Sequence, residues 1–227
     1  MIMGTDPASY VQRHVWQDGQ ISTVEDQVAT ETPVAIVFNG ISHVVMMTTP
    51  SDLEDFALGF SLSEGILETP GQLLDLEEIS TDKGIELHAS ITAKQFAGLK
   101  DKRRNLVGRT GCGICGAESL EIAAPSPKLV KIETLLSHAA LQRAIVELSK
   151  LQDLQKQTGA VHAAAWCSID GDILLIKEDV GRHNALDKLI GARARGKFND
   201  LGFALVTSRA SYEMVSKAAN ANMSILA

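Results

Sequence analysis

Nowhere in the 227 residues is there an apolar run long enough to span a bilayer. The amino terminus, Met1-Ile2-Met3-Gly4-Thr5-Asp6, has no apolar stretch behind basic residues. These two features lead to the expectation of a cytoplasmic protein with no ordinary membrane-spanning helix. Positive charge is also in short supply. Lys and Arg number 21 against 28 Asp and Glu, for a net charge of −7. That balance argues against general nucleic-acid binding and against an anionic membrane surface. Cysteines number only three. In a reducing compartment three cysteines are not a disulfide framework. Hydrophobic residues, at 45%, suffice for one or two domains with a real core.

Two of the cysteines stand together, in Arg109-Thr110-Gly111-Cys112-Gly113-Ile114-Cys115-Gly116. A C-x-x-C pair can hold a metal, cycle through a disulfide or carry sulfur as a persulfide, and all three uses need an accessible thiolate. Glycines on either side keep bulk away from the sulfurs, and the basic run Lys100, Lys102, Arg103, Arg104, Arg109 favours the anion. A thiolate can attack a persulfide sulfur, and a second thiol two residues on can share or resolve the product. The alternatives are a structural zinc half-site or a thiol-redox module. Zinc wants four ligands, and beyond the pair the chain offers only Cys167 and scattered histidines. We therefore expect no permanent metal. Cys167, within Ala163-Ala164-Ala165-Trp166-Cys167, reads as a small buried strand residue.

Along the chain, residues 1 to about 32 read as a loose polar segment with at most a short strand. Asn39-Gly40 between two β-rich runs predicts a tight hairpin. Ser51 to Glu54 has capping-box spacing, and Leu53, Phe56, Ala57 and Phe60 predict an amphipathic helix over 52–64. Two short strands are expected around Lys83-Gly84. The best linker is Ala123 to Pro127, with two prolines in three residues. Beyond it come a long helix at about 138–156, strands at 160–168 and 172–178, a helix from Arg182 to Ala194, a strand at 203–207 and a helix at 211–220. Met223 to Ala227 opens one more strand, and the pattern stops there, so a further C-terminal portion is expected. The reading is a small α+β unit at 1–124, carrying the C-x-x-C near its end, followed by a layered α/β unit at 125–227.

Two strand-to-helix turns in the second unit carry candidate ligand residues. The first is Glu178-Asp179-Val180-Gly181-Arg182-His183-Asn184. Gly181 would admit a ligand to the backbone, the first helical N–H groups favour an anion, and Arg182 adds a bidentate phosphate donor. His183 and Asn184 could donate hydrogen bonds or protons. The plainer alternative is a helix cap by Asp179 or Asn184, with Asp187 and Lys188 as surface charges. The second turn, Thr207-Ser208-Arg209-Ala210-Ser211, repeats the arrangement, and here the plainer alternative is a serine cap. Such turns can line one crevice at the carboxyl ends of the strands, where a phosphate-bearing ligand is the natural guess. His162 lacks the glutamate that a zinc deaminase H-x-E would need, since Ala164 stands there.

Five stretches together resemble one family, the formate dehydrogenase accessory sulfurtransferases of the FdhD type: Thr49 to Gly65, Arg109 to Ser119, Gly159 to Ala165, Glu178 to Lys188 and Ser208 to Val215. The resemblance implies a cytoplasmic sulfurtransferase that takes sulfane sulfur from a cysteine desulfurase. Cys112 would hold the persulfide with Cys115 as its partner. The sulfur passes to molybdenum in the bis(molybdopterin guanine dinucleotide) cofactor, bound as substrate, for use by formate dehydrogenase. Gly181, Arg182, His183, Asn184, Ser208, Arg209 and Ser211 are the expected cofactor-binding residues. The resemblance also implies a second unit of cytidine-deaminase-like three-layer α/β layout, and a homodimer. Members of that family continue past the strand opening at about Ser224, with a basic segment that contributes to holding the cofactor and that residues 1–227 do not contain. A cofactor-binding chaperone without sulfur transfer stays open as an alternative.

Overall fold

The computed structural model describes residues 6–106, 127–131, 135–196, 198 and 201–227, with 101–106 as backbone only. The chain opens with a long antiparallel ribbon, β1 (Ala8–Gln17) and β2 (Gln20–Ala29), in register from Ala8 opposite Ala29 to Gln17 opposite Gln20. This overturns the expectation of a loose segment. The ribbon turns on Asp18-Gly19, both at positive φ (52° and 78°), the backbone that a two-residue hairpin turn requires. Its strands are mostly polar, so apolar alternation did not announce them.

A second sheet follows, in the order β4-β3-β6-β5. It contains β3 (Thr32–Phe38), β4 (Ile41–Thr48), β5 (Leu73–Thr81) and β6 (Gly84–Ile91). The Asn39-Gly40 hairpin and the pair around Lys83 are as the sequence predicts. Between β4 and β5 lies α1 (Leu53–Ser63). Its expected amphipathic face is in fact a buried surface nearly all round, because α1 is covered on two sides. Phe56 and Leu58 pack with Val34, Ile36, Phe38 and Leu87 of the sheet, while Leu62 reaches the core of the second half. The capping box does not form either. Asp52 takes the N-cap position in a left-handed backbone conformation without a side-chain cap bond, and its carboxylate instead accepts from Lys177 at 2.5 Å. After β6 the basic stretch is helical, as α2 (Ala93–Leu106).

The second half is a three-layer sandwich. The expected long helix is two, α3 (His138–Leu151) and α4 (Asp153–Thr158), broken at Gln152. The sheet order is β8-β7-β9, from β7 (His162–Ser168), β8 (Ile173–Asp179) and β9 (Gly202–Val206). The segment 224–227 adds parallel bonding to β9 through Ala204 and Val206. One face packs Ala165, Cys167 and Phe203 against Ala144 and Leu148 of α3. The other packs Ala164 and Trp166 against Leu186 and Leu189 of α5 (Arg182–Arg195) and Met214 of α6 (Tyr212–Asn220). The fold is thus mixed α/β with the three-layer second unit that the resemblance implied. The boundary expected near 124 lies outside the described residues.

What joins the halves is the crossing of α1 over α5. A Cβ on Gly59 would lie 1.7 Å from the Asp187 carbonyl oxygen, and one on Gly191 would lie 1.9 Å from that of Asp55. Each helix thus meets the other's backbone through a glycine, a separation that no larger residue permits. Around this contact Lys177 bridges Asp52 and Asp55 at 2.5 and 2.8 Å, and Arg195 pairs with Glu54 at 2.7 Å.

Candidate functional site

β8 and β9 both run antiparallel to β7, so their carboxyl ends emerge at one edge of the sheet, on either side of His162. His162 pairs with Asp179 in register, and Thr207 bonds Ala163 from the other side. The two turns singled out in the sequence are therefore brought together. The link is direct at their helices: His183 Nε2 of α5 lies 3.5 Å from Glu213 Oε2 in the first turn of α6.

The first turn is organised around Asp179, which is wholly buried. Its carboxylate accepts from the Gly181 N–H at 2.8 Å, the Thr49 N–H at 3.0 Å, the Asn184 amide at 3.0 Å and the Thr48 hydroxyl, and it pairs with Lys188 at 2.7 Å. Lys188 donates also to the Thr49 carbonyl at 2.9 Å, and Asn184 to that of Met47 at 2.8 Å. Every free lone pair of this buried anion thus has a donor, which is the condition for keeping a charge out of water. Burial lowers the Lys188 pKa, and Asp179 opposes the fall.

Gly181 has a different reason from the one the sequence suggested. Its φ is −103°, open to any residue, but a Cβ there would lie 2.8 Å from the Asn184 amide nitrogen. The glycine makes room for Asn184 against Asp179. The N-cap of α5 is Gly181 itself, so neither Asp179 nor Asn184 is the cap. Arg182 and His183 follow in the opening turn of the 14-residue α5, both half-buried; Arg182 Nε is a buried atom without a hydrogen-bond partner among the described residues, and His183 Nε2 has Glu213 at 3.5 Å, a long ion-pair contact rather than a good hydrogen bond. Burial, then Arg182 and Lys217, lower the His183 pKa and so disfavour the imidazolium. A helix N-terminus flanked by an arginine with an unused donor suits an anion such as phosphate.

The second turn is looser. Ser211 occupies the N-cap position of α6, but its hydroxyl donates to Glu213 at 3.1 Å instead of capping the helix. Among the described residues the Ser208 hydroxyl bonds only the Arg209 carbonyl, at 3.2 Å, and Arg209 is exposed. Arg182 and Arg209 are thus held very differently.

Sequence reasoning missed the second buried ion pair. Asp187 and Lys188 are not surface charges. They point to opposite partners from adjacent positions on α5. Asp187, at 1% exposure, accepts from Ser63 at 2.6 Å and pairs with Lys217 at 3.0 Å; Lys217 also reaches Glu64 at 2.7 Å. Burial pushes the Lys217 pKa down, but Asp187 and Glu64 outweigh it and hold it above the ordinary value. This network and His183 line a cavity of about 400 Å³ with Met46, Met47 and Phe60. The available signal was α5 itself. With Ala185, Leu186, Leu189 and Ile190 all buried, no polar face is left for 187 and 188.

Cys112 and Cys115 lie outside the described residues. Cys167 is fully buried, and burial pushes its thiol up to about 12, which removes it as a nucleophile at neutral pH. No group of three or more His, Cys, Asp or Glu among the described residues could hold a metal, and no described helix is long and apolar enough to cross a membrane.

Comparison with known proteins bears on the whole chain. The sequence pattern of the FdhD/NarQ family matches residues 29–227. A protein named sulfur carrier protein FdhD from Cupriavidus necator is 52% identical over 213 residues, covering 93% of this chain and 74% of the relative. Its namesake from Variovorax paradoxus is 53% identical over 203 residues, covering 89% and 73%. Among solved structures, one described as a putative formate dehydrogenase accessory protein from Desulfotalea psychrophila superposes with a TM-score of 0.72 at 24% identity, over 96% of this chain and 82% of that one, which speaks for the fold.

Proposed function

Since the chain belongs to the FdhD/NarQ family, we propose that it is a sulfur carrier that takes up sulfane sulfur at its C-x-x-C pair and hands it to a nucleotide-bearing molybdenum cofactor. The observation that carries this reading is that the family match spans Cys112 and Cys115, with relatives half identical in sequence named sulfur carriers. In the loading step, the Cys112 thiolate attacks the outer sulfur of a donor persulfide, R–S–SH. The donor S–S bond breaks and R–S⁻ leaves, while Cys112–S–SH forms with the proton retained. A cysteine desulfurase is the proposed donor. Cys115 shields or relays the sulfur. The acceptor is the bis(molybdopterin guanine dinucleotide) cofactor, delivered afterwards to formate dehydrogenase.

The turn residues fit the phosphate end of such a cargo. Arg182 and His183 at the α5 N-terminus on one side and Ser208, Arg209 and Ser211 on the other would hold its guanine-nucleotide phosphates, while Gly181 and Asn184, expected from the sequence as ligands, have their N–H groups committed to Asp179 and Met47 and shape the turn instead. Residues Thr48, Thr49, Asp179 and Lys188 act through that turn and are positioning residues. The proposal extends to a cytoplasmic homodimer, for which family kinship is the support; sedimentation velocity reads the mass.

The decisive experiment loads the protein with a cysteine desulfurase and cysteine and weighs it intact. A gain of one or more sulfur atoms, lost in Cys112→Ala, is the expected result. A gain that persists when both Cys112 and Cys115 are alanine overturns the assignment. Metal analysis separates the zinc-module alternative, which requires bound zinc that is lost on Cys115→Ser. Full rescue of formate dehydrogenase activity in cells by the double cysteine variant would instead favour the pure chaperone.

A further inference from the structure

We propose that a second cavity, at the end of α5 remote from the turns, binds a small organic anion with an apolar body. This cavity, of about 510 Å³, lies where the C-terminal ends of α1, α5 and α6 converge. That size falls among ordinary small-molecule sites. Its apolar wall is Leu62, Leu67, Ile190 and Phe198, and its cations are Arg193 and Lys128.

Arg193 is the centre of the argument. Its guanidinium stacks on the Trp166 ring at 4.1 Å from the centroid, so its position is set by the core. One nitrogen donates to the Ala221 carbonyl at 3.3 Å, and Nε is buried with no partner among the described residues. Lys128 is exposed and, among the described residues, donates only to the Asn222 side-chain oxygen, at 3.1 Å. Neither cation is in an ion pair with a described residue. The helix C-termini explain why cations collect here, through their exposed carbonyls. They supply partial charges and no formal anion. Glu68, also on the wall, is exposed and bonds neither of them.

The ligand class follows from these parts. An aromatic or branched aliphatic body fills the apolar wall. A carboxylate or phosphate meets Arg193 and Lys128. The chain's net charge of −7 opposes anions in general, so a preference for an anionic ligand must come from this wall and not from diffuse attraction. The inference does not depend on sulfur transfer.

The test is calorimetric titration of the full-length protein with three ligands of one shape: 2-naphthoate, 2-naphthyl phosphate and neutral 2-naphthalenemethanol. At least one anion should bind once per chain, about tenfold to a hundredfold tighter than the alcohol, the range of one charge-assisted contact. The better anion identifies the head group. Arg193→Gln should erase the preference. Since Arg193 also packs on Trp166, Lys128→Gln, at an exposed position, provides the second variant and should reduce it. Equal binding of the alcohol and the anions, no binding of any, or a preference untouched in Lys128→Gln and in folded Arg193→Gln would overturn the proposal.

Discussion

The two strand-to-helix turns look alike in sequence, each a small residue, an arginine and a helix start, yet the structure builds them in opposite ways. The first is wired into the other half of the molecule. Thr48, Thr49 and Met47, from the end of β4, all bond to Asp179, Lys188 or Asn184. The second is tied to the sheet by Thr207, which bonds Ala163, but from Ser208 to Ser211 its side chains make only local bonds among the described residues, and its arginine is exposed. The difference is one of preorganisation. A turn whose backbone is fixed by a buried ion pair presents its helix N–H groups in one geometry before a ligand arrives, whereas a turn held by its own hydroxyls must be ordered by the ligand.

The strongest way to break this contrast is to remove the ion pair. Lys188→Met leaves Asp179 buried without its counter-charge and should cost about 3–5 kcal/mol of stability, read from urea unfolding. Arg209→Ala should stay within about 0.5 kcal/mol of the parent. Equal costs would erase the distinction. Nucleotide affinity sharpens it. With GDP as a fragment of the proposed cargo, Arg182→Ala should lose about 1.5–3 kcal/mol, tenfold to a hundredfold, and Arg209→Ala less, because an exposed arginine gives back ordering entropy. Unchanged affinity in both variants would move the phosphates elsewhere. Asn184→Ala removes a donor to the buried Asp179 carboxylate and should cost about 1–3 kcal/mol.

A smaller effect is expected from pH. Folding lowers the His183 pKa from its ordinary 6.5, so the unfolded chain binds the proton more readily. The contribution of His183 to stability is therefore full above about pH 6.5 and is lost as pH falls through the lower folded value. His183→Gln should flatten that part of the profile of denaturation midpoint against pH. Smallest of all, Glu213→Gln takes away a carboxylate that supports the imidazolium and should lower the His183 pKa further, measured by NMR titration.

How much of this was legible in the sequence depends on where each interaction closes. Local signals were readable. Asn39-Gly40 fixed a hairpin because the turn needs positive φ at both residues, and the strands and helices after residue 160 came within a few positions of the observed ones. The turns at 179 and 207 were found because strand end, glycine or serine, and arginine are neighbours in the chain. Two of the partners of Asp179, Thr48 and Thr49, lie about 130 residues away, and Lys217 reaches Asp187 and Ser63 on other helices. No local pattern encodes such pairs, so the buried lysines looked like surface ones. Asp18-Gly19 carried a readable turn signal that the polar flanks hid.

The chain has two tryptophans, and the fold places them at opposite extremes: Trp16 on the ribbon is 72% exposed, and Trp166 beneath Arg193 is 2% exposed. In fluorescence they form a built-in pair of reporters. Dissolved iodide reaches the indole on the ribbon and extinguishes its red-edge emission, leaving the blue signal of the interior ring. Whatever changes that remaining light, unfolding or a guest beside Arg193, has changed the core of the three-layer unit and not its periphery.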